Sequence, residues 1–159
     1  MFKVYLAGPI TGLSYGEARH GWREAFPELF SPVIREHVKF YSPMRGKDHL
    51  AEINKIIGGD VYKSNPITSA AGITTRDHND VYTSHVMVAN FLGAKSGSLG
   101  TGIEFGWASA YKVPIVTIME PEGSGNPHDH LMIKHLSGYI VHDLETAARI
   151  VQLILLPGI

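Results

Sequence analysis

The residue whose type and setting point most directly to chemistry is Glu104. It lies in the first turns of an expected helix, beside the apolar side chains of Ile103, Phe105 and Trp107. A lone carboxylate is costly to bury in such a setting, although the same residue could face solvent at the positive end of the helix dipole. Composition leaves both interpretations open. A buried Glu104 would be suited to cleaving a glycosidic bond with retention, because a carboxylate nucleophile in a partly dry pocket is the usual device for that reaction.

Two glycine-rich segments could bind a ligand near this carboxylate. Residues 97–102 hold three glycines and two hydroxyls directly before Glu104, and they resemble a phosphate cradle at a helix start. The segment is neither a Walker loop nor a dinucleotide fingerprint, because no Gly-Lys-Ser/Thr follows and the glycine spacing differs. Residues 8–12 follow the first apolar run, and their small side chains would let backbone amides approach a ligand. Taken alone, this second segment is more simply interpreted as an ordinary strand-to-helix turn.

Two polar clusters offer further groups. Residues 76–80 contain Asp77, a second carboxylate at the expected start of a helix, where a capping role would also account for it. Residues 126–130 contain His-Asp-His, but no further spaced ligand pair completes a metal site. We therefore expect no metal, and we interpret these histidines as surface groups or substrate contacts.

The composition limits the class of protein. The 159 residues fit one domain, 1–159, and the content of 44% hydrophobic and 18% charged residues is that of a globular chain. A net charge of −1 argues against a nucleic-acid polymer as partner but permits a small anion. The lack of cysteine excludes disulfides and a thiol nucleophile. We find neither a signal-peptide pattern nor an apolar run near the ~20 residues of a membrane span, so we expect a cytoplasmic protein without a membrane partner.

Short apolar runs alternate with amphipathic stretches, which predicts strands alternating with helices. The expected strands are Phe2–Ala7, Val38–Tyr41, 85–91, 113–119 and Tyr139–Val141. The expected helices are 15–26 after a Ser14–Glu17 capping box and before Pro27, then 50–57, 77–84, 99–111, Leu131–Leu136 and Leu144–Leu155. Residues 60–75 are expected to form a long loop. The pattern predicts an α/β fold with a doubly wound, flavodoxin/Rossmann-like five-stranded parallel sheet and helices on both faces, with ligands at the carboxyl ends of the strands.

Taken together, these segments resemble the nucleoside 2-deoxyribosyltransferase superfamily, which includes the transferases and the nucleoside 5′-monophosphate N-glycosidases. The resemblance begins at residues 4–10, continues through Arg76-Asp77 and 85–91, and ends near residues 130–132. It is strongest at residues 98–108, where the order Gly-Thr-x-x-Glu-x-Gly-x-Ala is fairly specific. Residues 44–74 match poorly.

The resemblance implies a role for each matching residue. Glu104 is expected to attack the anomeric carbon and form a glycosyl-enzyme. Asp77 is expected to orient the sugar and handle the proton at the departing base. Tyr5 is expected to place its hydroxyl near the sugar and the nucleophile, which favours a 2′-deoxy sugar. Substrate-binding positions are expected at Gly8, Ile10, Thr11, Gly12, Ser98, Gly100, His130 and Met132, and no metal or organic cofactor is implied.

Three positions bear on the substrate and on assembly. Ser98 stands where many transferases carry Asp to hold the 5′-hydroxyl, and the monophosphate-cleaving members also have Ser there. A hydroxyl at a helix start would bind a phosphate that a carboxylate would repel, which favours a 5′-monophosphate. Thr11 stands where the animal monophosphate-cleaving enzymes carry Arg, which favours a free nucleoside. His130 stands where family members place a residue that enters a neighbouring subunit's site, so a homo-oligomer is expected.

The leading hypothesis is therefore an enzyme that cleaves an N-glycosidic bond and transfers the sugar to a second free nucleobase or to water. A non-catalytic nucleotide-sensing module of the same fold is the alternative, and the presence of both Glu104 and Asp77 argues against it. A dinucleotide-dependent oxidoreductase lacks its glycine fingerprint and the acidic residue expected after the second strand.

Overall fold

The five predicted strands form one parallel sheet in the computed structural model, which describes residues 1–56 and 66–156. Within these ranges the strand order is β2-β1-β3-β4-β5, with β1 Phe2–Ala7, β2 Val38–Tyr41, β3 Val86–Asn90, β4 Ile115–Ile118 and β5 Tyr139–Val141. The helices are α1 Tyr15–His20, α2 Trp22–Glu28, α3 Pro32–Arg35, α4 Ala70–Tyr82, α5 Leu99–Ala110, α6 Leu131–Leu136 and α7 Leu144–Leu155. The predicted doubly wound α/β architecture is confirmed.

Apolar cores lie on both faces of the sheet. Alternate side chains of β1 point to opposite faces, so that Leu6 joins one core and Tyr5 joins the other. The core beneath α2 and α7 includes Val4, Phe26, Phe30, Val116, Ile118, Ala148 and Val151. The core beneath α4 and α5 includes Ala7, Val81, Met87, Ala89, Phe91, Phe105 and Ala108. The sheet thereby holds Tyr5 on the same face as α4 and α5.

The strand order reverses between β1 and β3, and this switch point is where ligands bind in such sheets. Gly8 follows β1 at this point with φ +152°, and a Cβ there would lie 2.7 Å from the Asn90 carbonyl oxygen at the end of β3. Only glycine permits that approach without displacing one of the two loops. The turn after β1 is therefore fixed against the end of β3.

The segment between β2 and β3 differs from the prediction. Residues 50–56 of the expected helix 50–57 are not α-helical: a 3-10 turn spans Asp48–Leu50, and turns and bends follow up to residue 56. Part of the expected loop 60–75 is helical, because a 3-10 turn at Pro66–Thr68 leads into α4. Residues 57–65, which include the end of the expected helix and the first part of the expected loop, lie outside the described residues.

Helix α4 begins seven residues earlier than the expected helix 77–84. Ser69 caps it by accepting a hydrogen bond from the Gly72 amide. Gly72 is required there, because a Cβ would lie 2.0 Å from the Pro66 carbonyl oxygen. Asp77 is therefore in the middle of the helix, and its interpretation as a cap was wrong.

The remaining boundaries follow local signals. The Ser14–Glu17 capping box is present. The expected first helix is divided into α1 and α2 at Gly21, where a Cβ would lie 2.7 Å from the Glu17 carbonyl oxygen. Pro27 is accommodated one residue before the end of α2. Among the described residues, no helix combines the length and the apolar character needed to cross a bilayer.

Candidate functional site

A cavity of about 410 Å³ opens at the switch point between β1 and β3. Its walls come from the turn after β1, the segment after β2, helix α4 and the start of helix α5. The lining residues are Gly8, Pro9, Ile10, Thr11, Pro43, Lys47, Ile73, Asp77, Ser96, Gly97, Ser98, Leu99, Gly100, Thr101 and Glu104. Its volume is in the range of pockets that hold small molecules.

Glu104 extends from α5 to the cavity wall and meets Tyr5 of β1. The Tyr5 hydroxyl donates a hydrogen bond to Glu104 Oε1 at 2.5 Å, within the range for a charge-assisted bond. Glu104 is 8% exposed and Tyr5 is fully buried. The solvent-facing interpretation of Glu104 is therefore wrong. One carboxylate oxygen is fixed by the sheet, in a largely dry setting.

Burial raises the pKa of Glu104 to about 7. The Tyr5 hydrogen bond and the positive charges of Arg23 and Lys47 act in the opposite direction, while the nearby Asp77 raises it further. The Glu104 carboxyl therefore changes its charge near neutral pH, which is common for groups at functional sites.

Asp77 enters the same cavity from the middle of α4, where it is 5% exposed. Its Oδ1 accepts hydrogen bonds from the guanidinium of Arg76, at 3.0 Å from Nε and 2.9 Å from Nη2. Burial raises the pKa of Asp77, although Arg76 and Lys47 oppose the rise. A carboxyl with a raised pKa is suited to donate and accept a proton.

Arg23 of helix α2 holds the turn after β1 through hydrogen bonds to the backbone. Arg23 is 4% exposed, and its guanidinium donates to the carbonyl oxygens of Ala18 and Gly8 at 2.9 Å each. Burial lowers the pKa of Arg23 to about 10, so the side chain stays charged at neutral pH. Sequence reasoning missed this residue, because its helix was interpreted only through its apolar face.

Ser98 caps helix α5 where the start of this helix lines the cavity. Its side chain accepts from the Thr101 amide, and the two hydroxyls lie 2.9 Å apart. The Ser98 backbone amide donates to Nε2 of His128 at 2.8 Å. The His128 ring is buried and stacks on Phe91 with centroids 3.9 Å apart, and burial lowers its pKa. His128 therefore positions the Ser98 loop, a role that its place in a polar sequence did not indicate.

The predicted site residues divide into two groups. Gly8, Ile10, Thr11, Ser98 and Gly100 line the cavity together with Glu104 and Asp77, and Tyr5 lies directly behind Glu104. Three others lie elsewhere: Gly12 lines an adjoining cavity of about 190 Å³, while His130 and Met132 line neither cavity.

His130 instead caps helix α6, where its Nδ1 accepts from the Met132 amide at 3.2 Å. His130 and Met132 are both exposed. The neighbouring Asp129 accepts hydrogen bonds from the Gly123 amide and from Lys134. The His-Asp-His sequence is thus used for capping and loop closure, with His128 directed inward.

Fold and site together define an α/β protein with a 2-1-3-4-5 parallel sheet and two buried carboxyl groups in a cavity at its switch point. No protein-family model matches the chain, and no curated protein matches it in sequence. Solved structures do match it, and they include members of the group that the sequence resembles.

The 2-deoxyribosyltransferase of Bacillus psychrosaccharolyticus is 14% identical with a TM-score of 0.61, over 92% of this chain and 90% of that chain. The CMP N-glycosidase BcmB of Clostridium botulinum is 17% identical with a TM-score of 0.56, over 95% of this chain and 98% of that chain. A molybdenum cofactor binding protein of Rippkaea orientalis is 15% identical with a TM-score of 0.54, over 98% of each chain. These similarities establish the fold and confirm the resemblance at that level, but the fold also serves proteins of other function.

Proposed function

We propose that the protein cleaves the N-glycosidic bond of a 2′-deoxynucleoside or its 5′-monophosphate through a covalent glycosyl-Glu104 intermediate. The observation that carries the proposal is the buried Glu104 carboxyl, which Tyr5 holds at 2.5 Å and which shares its cavity with Asp77. The 2-deoxyribosyltransferase and the CMP N-glycosidase of the same fold add support.

In the first step, a Glu104 carboxylate oxygen bonds to C1′ while the C1′–N bond breaks, and its electron pair remains on the base nitrogen. Protonated Asp77 gives its proton to the departing base, and its raised pKa suits this role. In the second step, water or a second nucleobase attacks C1′ and returns a proton to Asp77, and the Glu104 carboxylate departs. Transfer and hydrolysis therefore differ only in the incoming group.

Ser98 supports a slight preference for a 5′-monophosphate. It lies at the start of α5, where first-turn amides lack helical acceptors and the dipole favours an anion. The neighbouring Gly97 and Gly100 also line the cavity and leave space for a ligand to approach the backbone. The phosphate would then accept hydrogen bonds from Ser98 and from these amides.

Assembly into a homo-oligomer is part of the proposal. Leu99 and Ile103 on α5 are 82% and 46% exposed, and Leu131 and Met132 on α6 are 78% and 65% exposed. These four side chains lie on neighbouring helices and present apolar surface to solvent, which a second copy would cover. His130 would then approach the neighbour's cavity. Full activity in a species that sedimentation shows to be monomeric would contradict this part.

The test is incubation with deoxynucleosides and deoxynucleoside 5′-monophosphates, with and without a second free base, followed by chromatography. We expect release or exchange of base by the wild type and none by Glu104→Ala. Glu52→Ala is the matched control, because Glu52 is exposed and does not line the cavity. Base exchange on free nucleosides alone would contradict the monophosphate preference. Nucleotide binding without turnover would favour the sensing module.

A further inference from the structure

The adjoining cavity of about 190 Å³ has no role in the mechanism above. We call it the side cavity, and the larger one that holds Glu104 the main cavity. The turn after β1, the start of α2 and the loop after β3 form its walls, and Gly12 lies here instead of at the main cavity. Its volume is below the roughly 300–1,000 Å³ of a site that holds a whole small molecule. It therefore suits a substituent of the substrate and not a second nucleoside.

The side cavity continues the main cavity from the end where Ser98 lies. Thr11 and Ser96 line both cavities, whereas Asp77 lines only the main one. Ser96 precedes Ser98 by two residues, so their Cα atoms are at most roughly 7 Å apart. A group attached to a phosphate at Ser98 would therefore reach the side cavity, while the sugar and base remain in the main cavity.

Asn90, at the end of β3, places an unused hydrogen-bond donor in the side cavity. Asn90 is 8% exposed and lines this cavity. Its Oδ1 accepts from the Leu92 amide at 3.0 Å, which fixes the orientation of the side-chain amide. Within residues 1–56 and 66–156, no protein group accepts a hydrogen bond from its Nδ2. Because nearly buried polar groups normally have partners, this nitrogen is available to a ligand acceptor.

The charge of the side cavity is positive. Lys95 lines it, and no Asp or Glu of the described ranges does. Glu120 interacts electrostatically with Lys95, but it lines neither cavity and is engaged by the Gly93 amide and by Asn126. A side-chain amide nitrogen and an ammonium can only donate hydrogen bonds. The cavity therefore favours an anionic group whose atoms only accept.

The loop after β3 is held in place without a ligand. Near its start, Asn126 Nδ2 donates to the Phe91 carbonyl oxygen at 2.8 Å. At its end, the Ser98 amide donates to His128 Nε2 at 2.8 Å. A ligand bound along this loop would therefore lose less affinity to the ordering of the chain.

We propose that the side cavity binds the second phosphate of a nucleoside 5′-diphosphate whose first phosphate lies at Ser98. The second phosphate accepts hydrogen bonds from Asn90 Nδ2 and from the Lys95 ammonium. The inference rests on the proposed function and names the substrate class of the same site.

The experiment compares the 5′-monophosphate and 5′-diphosphate of a deoxynucleoside whose base the wild type releases. Asn90→Asp keeps the acceptor for the Leu92 amide and replaces the Nδ2 donor with a negatively charged oxygen, and Lys95→Gln removes a charge. Asn79→Asp and Lys39→Gln are the matched controls, because they make the same changes at exposed positions that line neither cavity. Thermal melting of each variant establishes that it is folded.

We expect the wild-type kcat/KM to be about 10- to 100-fold higher for the diphosphate, the range for hydrogen bonds to a charged group. Asn90→Asp should abolish this advantage, because a donor is lost and like charges repel. Lys95→Gln should reduce it roughly two- to fivefold, as expected of an exposed charge, and the controls should keep it. A wild type without preference for the diphosphate, or an equal loss on both substrates in Asn90→Asp, would overturn the inference.

Binding distinguishes a failure of this inference from a failure of the proposed function. Calorimetry with inorganic pyrophosphate and inorganic phosphate needs no turnover, and we expect the wild type to bind pyrophosphate about 10- to 100-fold more tightly. If this difference is found but no substrate is cleaved, the enzymatic proposal fails and the phosphate site stands. If bases are released but the difference is missing, or if it persists in Asn90→Asp, the inference alone is overturned.

Discussion

The bond between Tyr5 and Glu104 makes a prediction about pH. Tyr5→Phe removes the hydroxyl that donates to Glu104 Oε1 at 2.5 Å and leaves the ring in its buried place. That hydrogen bond favours the ionised carboxyl and opposes the burial that raises the Glu104 pKa to about 7. Its loss should therefore raise the pKa further.

The magnitude follows from the kind of bond. A hydrogen bond to a charged group contributes about 1.5–3 kcal/mol, and one pKa unit corresponds to about 1.4 kcal/mol. The Glu104 pKa should then rise by roughly one to two units in Tyr5→Phe. Because attack on C1′ needs the carboxylate, less of the variant is active at neutral pH.

The assay is the pH dependence of kcat/KM, which reports on ionisation in the free enzyme. The acid limb of the wild type should lie near the Glu104 pKa of about 7, and that of Tyr5→Phe should lie higher. At high pH the two rates should converge, apart from any contact of the hydroxyl with substrate. An acid limb that stays in place, with a uniform fall at every pH, would refute this account.

Three further predictions concern the same cavity. Glu104→Gln should raise the free energy of unfolding by about 3 kcal/mol above pH 7, since the native pKa of about 7 exceeds the ordinary 4.5. This gain should shrink as pH falls towards 4.5. Urea titrations at several pH values measure it, with Glu52→Gln as control. Ser98→Asp keeps a good helix cap and should lower kcat/KM for monophosphates roughly a hundredfold by charge repulsion, while kcat/KM for free nucleosides is little changed. Kinetics on both substrate classes test this, and an equal loss on both would contradict it. His128→Phe keeps the stacking on Phe91 but leaves the Ser98 amide without its acceptor, which should lower stability by about 1–3 kcal/mol; an unchanged urea midpoint would contradict it.

The parts of the fold that sequence predicts are those with local signals. Helix α5 begins after Ser98, which caps it, and helix α7 begins after Asp143, which accepts from the Thr146 amide. The bounds of α6, β5 and α7 agree with the prediction residue for residue. The continuous apolar run at β3 predicted a buried central strand, and each of its residues is buried.

Helix α4 was missed in part because its first turns contradict helix propensity. Gly72, Thr74 and Thr75 are poor helix formers. The helix nevertheless begins after the Ser69 cap, where Gly72 approaches the Pro66 carbonyl oxygen closely. The consequence for function was direct, since a helix beginning at Asp77 made that residue resemble a cap.

The candidate site shows the same division between local and distant information. Glu104 could be identified because a carboxylate beside Phe105 and Trp107 is locally unusual. Arg23 and Lys47 carry no such signal, because each becomes notable only through burial against segments far away in the chain. Sequence therefore indicated the two carboxyl groups that we propose to react and missed the cations that oppose the effect of burial on their pKa values.

The missed charges explain how two carboxyl groups can share one buried cavity. Burial raises the pKa of both Asp77 and Glu104, and the nearby Asp77 raises that of Glu104 further. Arg76 binds Asp77 directly, while Arg23 and Lys47 act on Glu104 through space. Burial lowers the Lys47 pKa to about 8, so alkaline titration removes one positive charge from beside Glu104. Loss of the Lys47 charge removes an interaction that favours the ionised form of Glu104, so the two groups titrate as a coupled pair.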